Sequence, residues 1–189
     1  NGSCVLQIQS QYGSVLLPAD IEAEAEQEII LRYPEGLISK VLIAPHHGSK
    51  TSSSETFIEA IDPELVIFPA GWMNRYQHPA QTVRRRLEER GISSMITGEC
   101  GSISVRVGPA GINVESWRQS NQMIWDQTET DRRCRKLALG LPEIPALRYI
   151  SVLIKYLSGC NLSVRNFPIR RPADVAATVV LNYCTGYYR

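Results

Sequence analysis

The sequence predicts an α/β fold, in which buried strands alternate with amphipathic helices. Two apolar, β-branched runs, Val41–Ile43 and Leu65–Phe68, are typical of buried strands, and each is followed by a loop and a helical pattern. The three histidines of the chain lie in those loops, His46 and His47 after the first run and His78 after the second. Because open α/β sheets bind ligands at strand ends, these loops form the candidate site.

The N-terminal part predicts a hairpin followed by a helix. Residues 3–18 contain two short strands around a Tyr-Gly turn, and apolar residues recur at helical spacing from Ile21 to about Tyr33. Asp20 precedes this helix, and taken alone it is more typical of an N-cap than of a ligand. The first turns carry four glutamates: Glu22, Glu24, Glu26 and Glu28. Such an acidic run is most simply a solvated face and not a metal site.

The loop at residues 44–49 has the sequence Ala-Pro-His-His-Gly-Ser. Its proline ends the strand because it cannot donate to a sheet ladder, and Gly48 permits a tight turn. Ser52 and Glu55 have capping-box spacing and predict the start of the next helix. A bare His-His pair is often an exposed loop pair or a cap. Three histidines at successive strand ends favour a shared site instead.

The following segments complete the predicted domain. Pro79 is expected to be the first residue of a helix that Gly91 closes. The arginines Arg84–Arg86 on that helix are interpreted as solvated surface, with contact to a nucleic-acid backbone as the minority alternative. A short strand at Ser94–Thr97 and a hairpin within residues 101–115 follow.

Composition divides the chain near Arg118. The 189 residues have a net charge of +1, which favours no class of partner. Residues 1–118 carry 10 Lys/Arg and 14 Asp/Glu, a net −4, whereas residues 119–189 carry 10 and 5, a net +5. We therefore predict a domain at 1–118 and an extension of uncertain order at 119–189, with room for one helix between 139 and 158.

Two further classes of protein are not indicated. The longest apolar stretch, residues 146–160, is interrupted by Arg148 and Lys155 and is too short and charged to span a bilayer. The five cysteines form no Cys-x-x-Cys pair, so a zinc ribbon is not indicated, and buried free thiols are the expected state.

Three segments carry a family resemblance: residues 16–22 (Leu-Leu-Pro-Ala-Asp-Ile-Glu), 44–53 (Ala-Pro-His-His-Gly-Ser-Lys-Thr-Ser-Ser) and 74–79 (Asn-Arg-Tyr-Gln-His-Pro). Together they resemble the metallo-β-lactamase-like domain of ComEC-type competence proteins, bacterial inner-membrane proteins that take up transforming DNA. The resemblance covers about residues 1–118. It implies the C-terminal half of an αββα sandwich, on the extracytoplasmic side of the membrane. It also implies a metal-dependent hydrolase that degrades the DNA strand not imported.

The resemblance implies a metal site at the predicted strand ends. Asp20 matches the family's metal-bridging aspartate, and His46–His47 matches its late histidine motif, with either histidine as the ligand. The implied metal ligands are Asp20, His46 and His47, and the implied catalytic residues are Asp20 and His47. Two ions, Zn²⁺ or Mn²⁺, are expected in the full-length domain, and such ligands suit them.

The same resemblance implies substrate contacts and partners. Tyr76 and His78 belong to the family's Tyr-x-His-Pro segment, and Ser49 is a weaker candidate for hydrogen bonding near a substrate phosphate. The implied partners are single-stranded DNA and the rest of the membrane channel protein, with no small-molecule cofactor.

Two departures from the family matter. Ala19 stands where the family commonly has glycine, which alters the turn before Asp20. The family's His-x-(His/Asp)-x-Asp-His motif is missing, so we expect this chain alone to bind metal weakly and to be a poor enzyme. The alternatives are a metal-free binding or structural module on the same fold, and a metallo-hydrolase of small esters or lactams.

Overall fold

The computed structural model describes residues 2–120, 149–155 and 176–182. The chain divides into two compact units, residues 1–9 with 14–96, and residues 10–13 with 97–189. The first elements are β1 (Leu6–Ser10), β2 (Gly13–Leu17), α1 (Ala23–Arg32), β3 (Val41–Ile43), α2 (Glu55–Ile61), β4 (Leu65–Phe68), α3 (Gln81–Glu89) and β5 (Ser93–Ile96). The remaining ones are α4 (Thr97–Cys100), β6 (Ile103–Gly108), β7 (Gly111–Ser116), α5 (Trp117–Ser120), β8 (Tyr149–Lys155) and β9 (Ala176–Asn182).

A five-stranded sheet with the order β1-β2-β3-β4-β5 organises the first unit. Strands β2 to β5 run parallel, with Val15 opposite Val41 and Ile67 opposite both Ile43 and Met95. Parallel strands point their carboxyl ends to one edge, so the loops after β2, β3 and β4 leave the sheet on the same side. The predicted α/β class is confirmed.

One apolar core fixes the helices to this sheet. Its buried members from the sheet and the segments that follow the strands are Leu16, Ile21, Leu42, Ala44, Val66, Phe68, Ala70 and Ile96. The helices and the α1–β3 connection contribute Leu37, Phe57, Ile58, Ile61, Val83 and Leu87. Burying each large side chain contributes about 1.5–3 kcal/mol. The strands that carry the candidate loops are therefore anchored in the core of this unit.

A second sheet, with the order β7-β6-β9-β8, belongs to the second unit. The predicted hairpin is confirmed as β6 and β7, and β9 pairs antiparallel with β6, Ile103 opposite Leu181. The helix expected between residues 139 and 158 is wrong at Tyr149–Lys155, which is strand β8, parallel to β9. Residues 121–148, 156–175 and 183–189 lie outside the described residues, and the domain boundary at 118 stays a prediction.

Two predicted helix starts are wrong. The N-cap of α2 is Ser54, whose Oγ accepts from the Phe57 N–H at 3.3 Å, and not Ser52. The Ser52 hydroxyl instead lies 2.8 Å from the Pro45 carbonyl oxygen, to which it donates. Helix α3 has Ala80 as its N-cap, so Pro79 precedes the helix. Gly91, with φ +68°, follows the end of α3 as predicted.

The expectation of buried free thiols is wrong at both cysteines that the structure describes. Cys4 is free but exposed, and Cys100 is buried but disulfide-bonded. Every helix in the described part of the chain is too short or too polar to traverse a bilayer.

Candidate functional site

Asp20 and the histidines come together at the carboxyl edge of the five-stranded sheet. The Nε2 atom of His47 lies 3.8 Å from Oδ1 of Asp20. The ring centroid of His46 lies 6.4 Å from that of His47 and 6.2 Å from that of His78. The predicted convergence of Asp20, the His46–His47 pair and His78 is therefore confirmed, because they follow three neighbouring parallel strands, β2, β3 and β4, to the same edge.

One hydrogen bond fixes the orientation of the His47 ring. Its Nδ1 atom lies 2.9 Å from the carbonyl oxygen of Pro69, just beyond β4. A carbonyl oxygen only accepts, so Nδ1 must carry the proton and donate it. In the neutral ring Nε2 then holds the lone pair, on the side of Asp20. A backbone partner at one nitrogen and a lone pair at the other is the usual arrangement of a metal-ligating histidine.

His46 has a different environment. Its Nδ1 atom lies 3.1 Å from Oε1 of Glu22 but makes no hydrogen bond of acceptable geometry. The same Glu22 oxygen accepts from the Thr51 hydroxyl at 3.0 Å, and Thr51 Oγ1 lies 3.0 Å from the buried Ser49 hydroxyl. Glu22 is exposed, as its interpretation as solvated surface predicted, and it also accepts this hydrogen bond. Ser49 is engaged within this network, and its contact with a phosphate stays a prediction.

His78 lies beside the pair on the loop after β4. Burial, and then the charges of His46 and His47, lower the pKa of His78 below its ordinary value, which favours the neutral ring. Its ring stacks on Tyr76, with centroids 5.7 Å apart and planes 17° apart. The structure thus brings Tyr76 to the same cluster, and a substrate contact by either residue stays a prediction.

The backbone that presents these side chains is held in unusual conformations. Ala19, His46 and His47 have φ values of 54°, 48° and 56°, in the left-handed region. Such residues cost about 1–3 kcal/mol each and persist where the surroundings over-determine them. A hydrogen bond of 3.0 Å from the His46 N–H to the Ala19 carbonyl joins the two loops. Asp20 is not the N-cap of α1, since Glu22 occupies that position.

Glu26 supports the loop that follows the histidines. Its side chain is fully buried, and its carboxylate accepts the backbone N–H groups of Ser53 at 2.5 Å and Ser54 at 2.9 Å. The guanidinium of Arg86 donates to the Ser53 carbonyl at 3.0 Å. The interpretation of the glutamate run as a solvated face is therefore wrong for Glu26. The interpretation of Arg84–Arg86 as solvated surface is likewise wrong for Arg86. Both residues are structural supports behind the site.

The donor set fits a metal in part. Asp20 and the His47 lone pair suit Zn²⁺ or Mn²⁺, and they are close enough to approach one ion. Among the residues that the structure describes, no group of three or more His, Cys, Asp and Glu side chains has the geometry to hold a metal ion. The described residues thus supply two candidate ligands, where a catalytic zinc site takes three.

Sequence reasoning located the cluster but missed several of its supports. Glu26 lies three and four residues before Ile29 and Ile30, so helical spacing already placed it toward the apolar side of α1. No local signal pointed to Glu22, whose partner Thr51 is distant in sequence, or to the Pro69 carbonyl.

Comparison with known proteins gives relatives but no family model that matches the chain. The chain is 33% identical over 116 residues to Competence protein ComA of Neisseria gonorrhoeae. The matched residues are 61% of this chain and 17% of that protein. It is 39% identical over 106 residues to ComE operon protein 3 of Bacillus subtilis, 56% of the chain and 14% of the relative. It is 36% identical over 103 residues to Recombination protein 2 of Haemophilus influenzae. That match covers 54% of this chain and 13% of the relative.

The chain is thus similar to proteins that are named for competence, for the ComE operon and for recombination. The matched part is only 13–17% of the length of each of them.

Proposed function

We propose that this chain is part of a bacterial protein for the uptake of transforming DNA, and that it carries half of a metal-dependent nuclease site. The names of the relatives support the role in competence. The observation that carries the chemistry is the orientation of His47. Its Nδ1 is engaged by the Pro69 carbonyl, and its Nε2 lies 3.8 Å from the Asp20 carboxylate.

In this proposal Asp20 and His47 would be the metal ligands, and His46 is a neighbour whose Nδ1 lies 3.1 Å from Oε1 of Glu22. Asp20 would hold a divalent cation through its carboxylate. A bound divalent cation supplies Lewis acidity toward a phosphoryl oxygen of the substrate. The chain's own contribution is to fix the His47 tautomer, to hold Asp20 on a strained turn and to keep these ligands at one sheet edge. The remaining ligands would come from other parts of the longer protein.

The resemblance supplies the rest of the proposal. The five-stranded sheet with α1, α2 and α3 on it would be the C-terminal half of a metallo-β-lactamase-like αββα sandwich. The substrate would be single-stranded DNA, and the domain would lie on the extracytoplasmic side of the inner membrane beside the channel. The mixed α/β topology and the parallel order of β2 to β5 support the fold assignment.

The test compares four proteins: this chain, the natural longer protein that contains it, and the Asp20→Asn and Asp62→Asn variants of the longer protein. Asp62 is a matched control because it is an exposed aspartate at the C-cap of α2 with φ 49°, a conformation that asparagine tolerates. Zn²⁺ and Mn²⁺ binding is measured by calorimetry, and cleavage by gel analysis of labelled single-stranded DNA.

We expect weak metal binding and little cleavage by this chain alone. The longer protein should bind metal tightly and cleave DNA. Asp20→Asn should remove most of the metal binding and most of the DNA cleavage, because a neutral amide cannot balance a dication. Asp62→Asn should leave both unchanged. Equal cleavage by Asp20→Asn and its parent would exclude Asp20 as a ligand. A longer protein that binds no metal would favour the metal-free binding module, and cleavage of small esters or lactams but not DNA would favour the third alternative.

A further inference from the structure

The loop between β4 and α3, residues 71–79, exposes an unusual amount of aromatic and apolar surface. Of the large apolar side chains that are exposed in the described part of the chain, three lie within five residues here. They are Trp72 (57% exposed), Met73 (87%) and Tyr76 (63%). Single exposed apolar residues need no explanation, but a cluster of this kind marks an interaction surface.

The loop is held in shape rather than loosely extended. The Asn74 side-chain amide donates to the carbonyl of Gly71 at 3.0 Å and to that of His78 at 2.7 Å. The Asn74 Oδ1 atom accepts the His78 N–H at 2.8 Å. A further backbone bond of 3.0 Å runs from the Gln77 N–H to the Asn74 carbonyl. The aromatic side chains are thus presented on a preorganised turn, which lowers the entropy cost of binding.

Planar groups on this loop lead outward from the histidine cluster. The His78 ring stacks on Tyr76, and the Cζ atom of Arg75 lies 4.7 Å from the Tyr76 ring centroid. The Arg75 guanidinium also donates to the Tyr76 hydroxyl. A guanidinium held beside an exposed aromatic ring offers one charged group for a phosphate and planar surface for a base.

The charge of the loop fits a polyanion. Between residues 71 and 87 the sequence contains arginines and no Asp or Glu. The same loop adjoins the imidazole cluster, since the ring centroids of His78 and His46 are 6.2 Å apart. A strand that stacks on this loop would therefore enter the proposed nuclease site directly.

We infer that Trp72, Arg75 and Tyr76 form a stacking platform that binds single-stranded nucleic acid next to Asp20 and His47. This inference rests on the proposed function and names where its substrate is held. Tyr76 and Trp72 stack bases, and Arg75 contacts one phosphate. Such stacking tolerates any base sequence, because every base has a π-face.

The experiment measures binding without chemistry. The 189-residue chain is titrated, with a chelator present, into a fluorescein-labelled oligothymidylate of about 15 nucleotides, a length near the upper range for one single-strand binding module. Fluorescence anisotropy is followed at several salt concentrations. The variants are Trp72→Ala, Tyr76→Ala, Tyr76→Phe and Arg75→Ala. Tyr33→Ala is the matched control, because Tyr33 is equally exposed on a different surface, at the end of α1.

We expect the chain to bind the oligonucleotide with a Kd below about 100 µM. Tyr76→Ala and Trp72→Ala should each weaken binding about tenfold. Tyr76→Phe, which keeps the ring, and Tyr33→Ala should stay within about twofold of the parent, since neither removes a stacking surface. Arg75→Ala should reduce the slope of log K against log salt by about 0.7, the value for one phosphate on a single strand.

Three outcomes would overturn the inference: no binding by the parent chain, equal losses in Tyr76→Ala and Tyr33→Ala, or unchanged binding in both Trp72→Ala and Tyr76→Ala. Sedimentation with phosphatidylglycerol vesicles tests the competing occupant. Vesicle binding that needs Trp72, without oligonucleotide binding, would make the loop a membrane contact instead. Because a chelator is present, the result does not depend on metal ligation, so failure of the Asp20 test and failure of this one are distinguishable.

Discussion

The loops that follow β3 and β4 leave the same sheet edge, yet they are built in opposite ways. The turn at Pro45–Gly48 packs its backbone into the core, and its His47 ring is tied to the Pro69 carbonyl. The loop at 71–79 is held by Asn74 and exposes its large side chains. Ligation needs fixed geometry, whereas binding of a flexible strand needs accessible surface. The first loop therefore suits the proposed metal ligation, and the second suits the proposed binding of a nucleic-acid strand.

The largest expected effect comes from Gly48→Ala. A Cβ atom at this position would lie 2.6 Å from the Phe68 ring and 2.8 Å from Cβ of Pro79, and the backbone has φ +82°. Steric overlap and left-handed strain together should lower the free energy of unfolding by about 3–4 kcal/mol. Urea unfolding measures the loss.

Gly91→Ala is the control for that substitution. Gly91 has a similar φ of +68° but nothing within 4 Å of the added Cβ atom. This substitution should therefore lower the free energy of unfolding only through left-handed backbone strain, by about 1–2 kcal/mol. Equal losses of unfolding free energy in the two variants would show that the turn after β3 accommodates a Cβ atom as easily as an unobstructed turn does. The contrast in packing between the two loops would then be lost.

A smaller effect is expected from Asn74→Ala in the loop after β4. Three side-chain hydrogen bonds are lost, but the loop is partly solvated, so water replaces much of their energy. We expect about 1 kcal/mol of global destabilisation and a clear increase in proteolytic cleavage between residues 71 and 79. Gln81→Ala, an exposed amide at the start of α3, should change neither quantity. A loss as large as that of Gly48→Ala would mean that both loops are equally built into the core.

The smallest expected effect is a gain of stability from Ala19→Gly. Ala19 has φ 54°, so glycine removes a strain of about 1–2 kcal/mol. The extra freedom of glycine in the unfolded chain offsets about 0.5–1 kcal/mol of this. We expect a net gain near 0.5 kcal/mol in chemical unfolding. Ala60→Gly, inside α2, should instead destabilise by about 1 kcal/mol. A loss of stability at position 19 would show that the turn before Asp20 is not strained.

The sequence was sufficient for β3 and β4, and for the convergence of Asp20 with the histidines, although it did not predict β8. The β-branched runs that became β3 and β4 are short and wholly apolar, and the polar residues that follow them mark where the parallel strands end. The convergence of Asp20 with the histidines follows from that topology alone.

The features that the sequence did not predict depend on contacts between residues that are distant in the chain. Ser52 and Ser54 are chemically equivalent caps in the sequence, and the choice is made by the Pro45 carbonyl, which engages the Ser52 hydroxyl. In the proposed site, the preference for His47 over His46 likewise depends on the Pro69 carbonyl, which lies 22 residues from His47. Local patterns carry no information on such pairs, so the sequence predicted the wrong cap, Ser52, and left His46 and His47 as alternatives.

The burial of Glu26 has a consequence for how this region opens. The N–H groups of Ser53 and Ser54 are satisfied by a carboxylate that belongs to α1. Undocking α1 would remove the hydrogen-bond acceptor of both N–H groups, so the helix and the segment after the histidines should open as one cooperative unit. Their amide protons should therefore exchange with solvent at a common rate, which ties the lifetime of the histidine turn to the docking of a helix that carries none of its histidines.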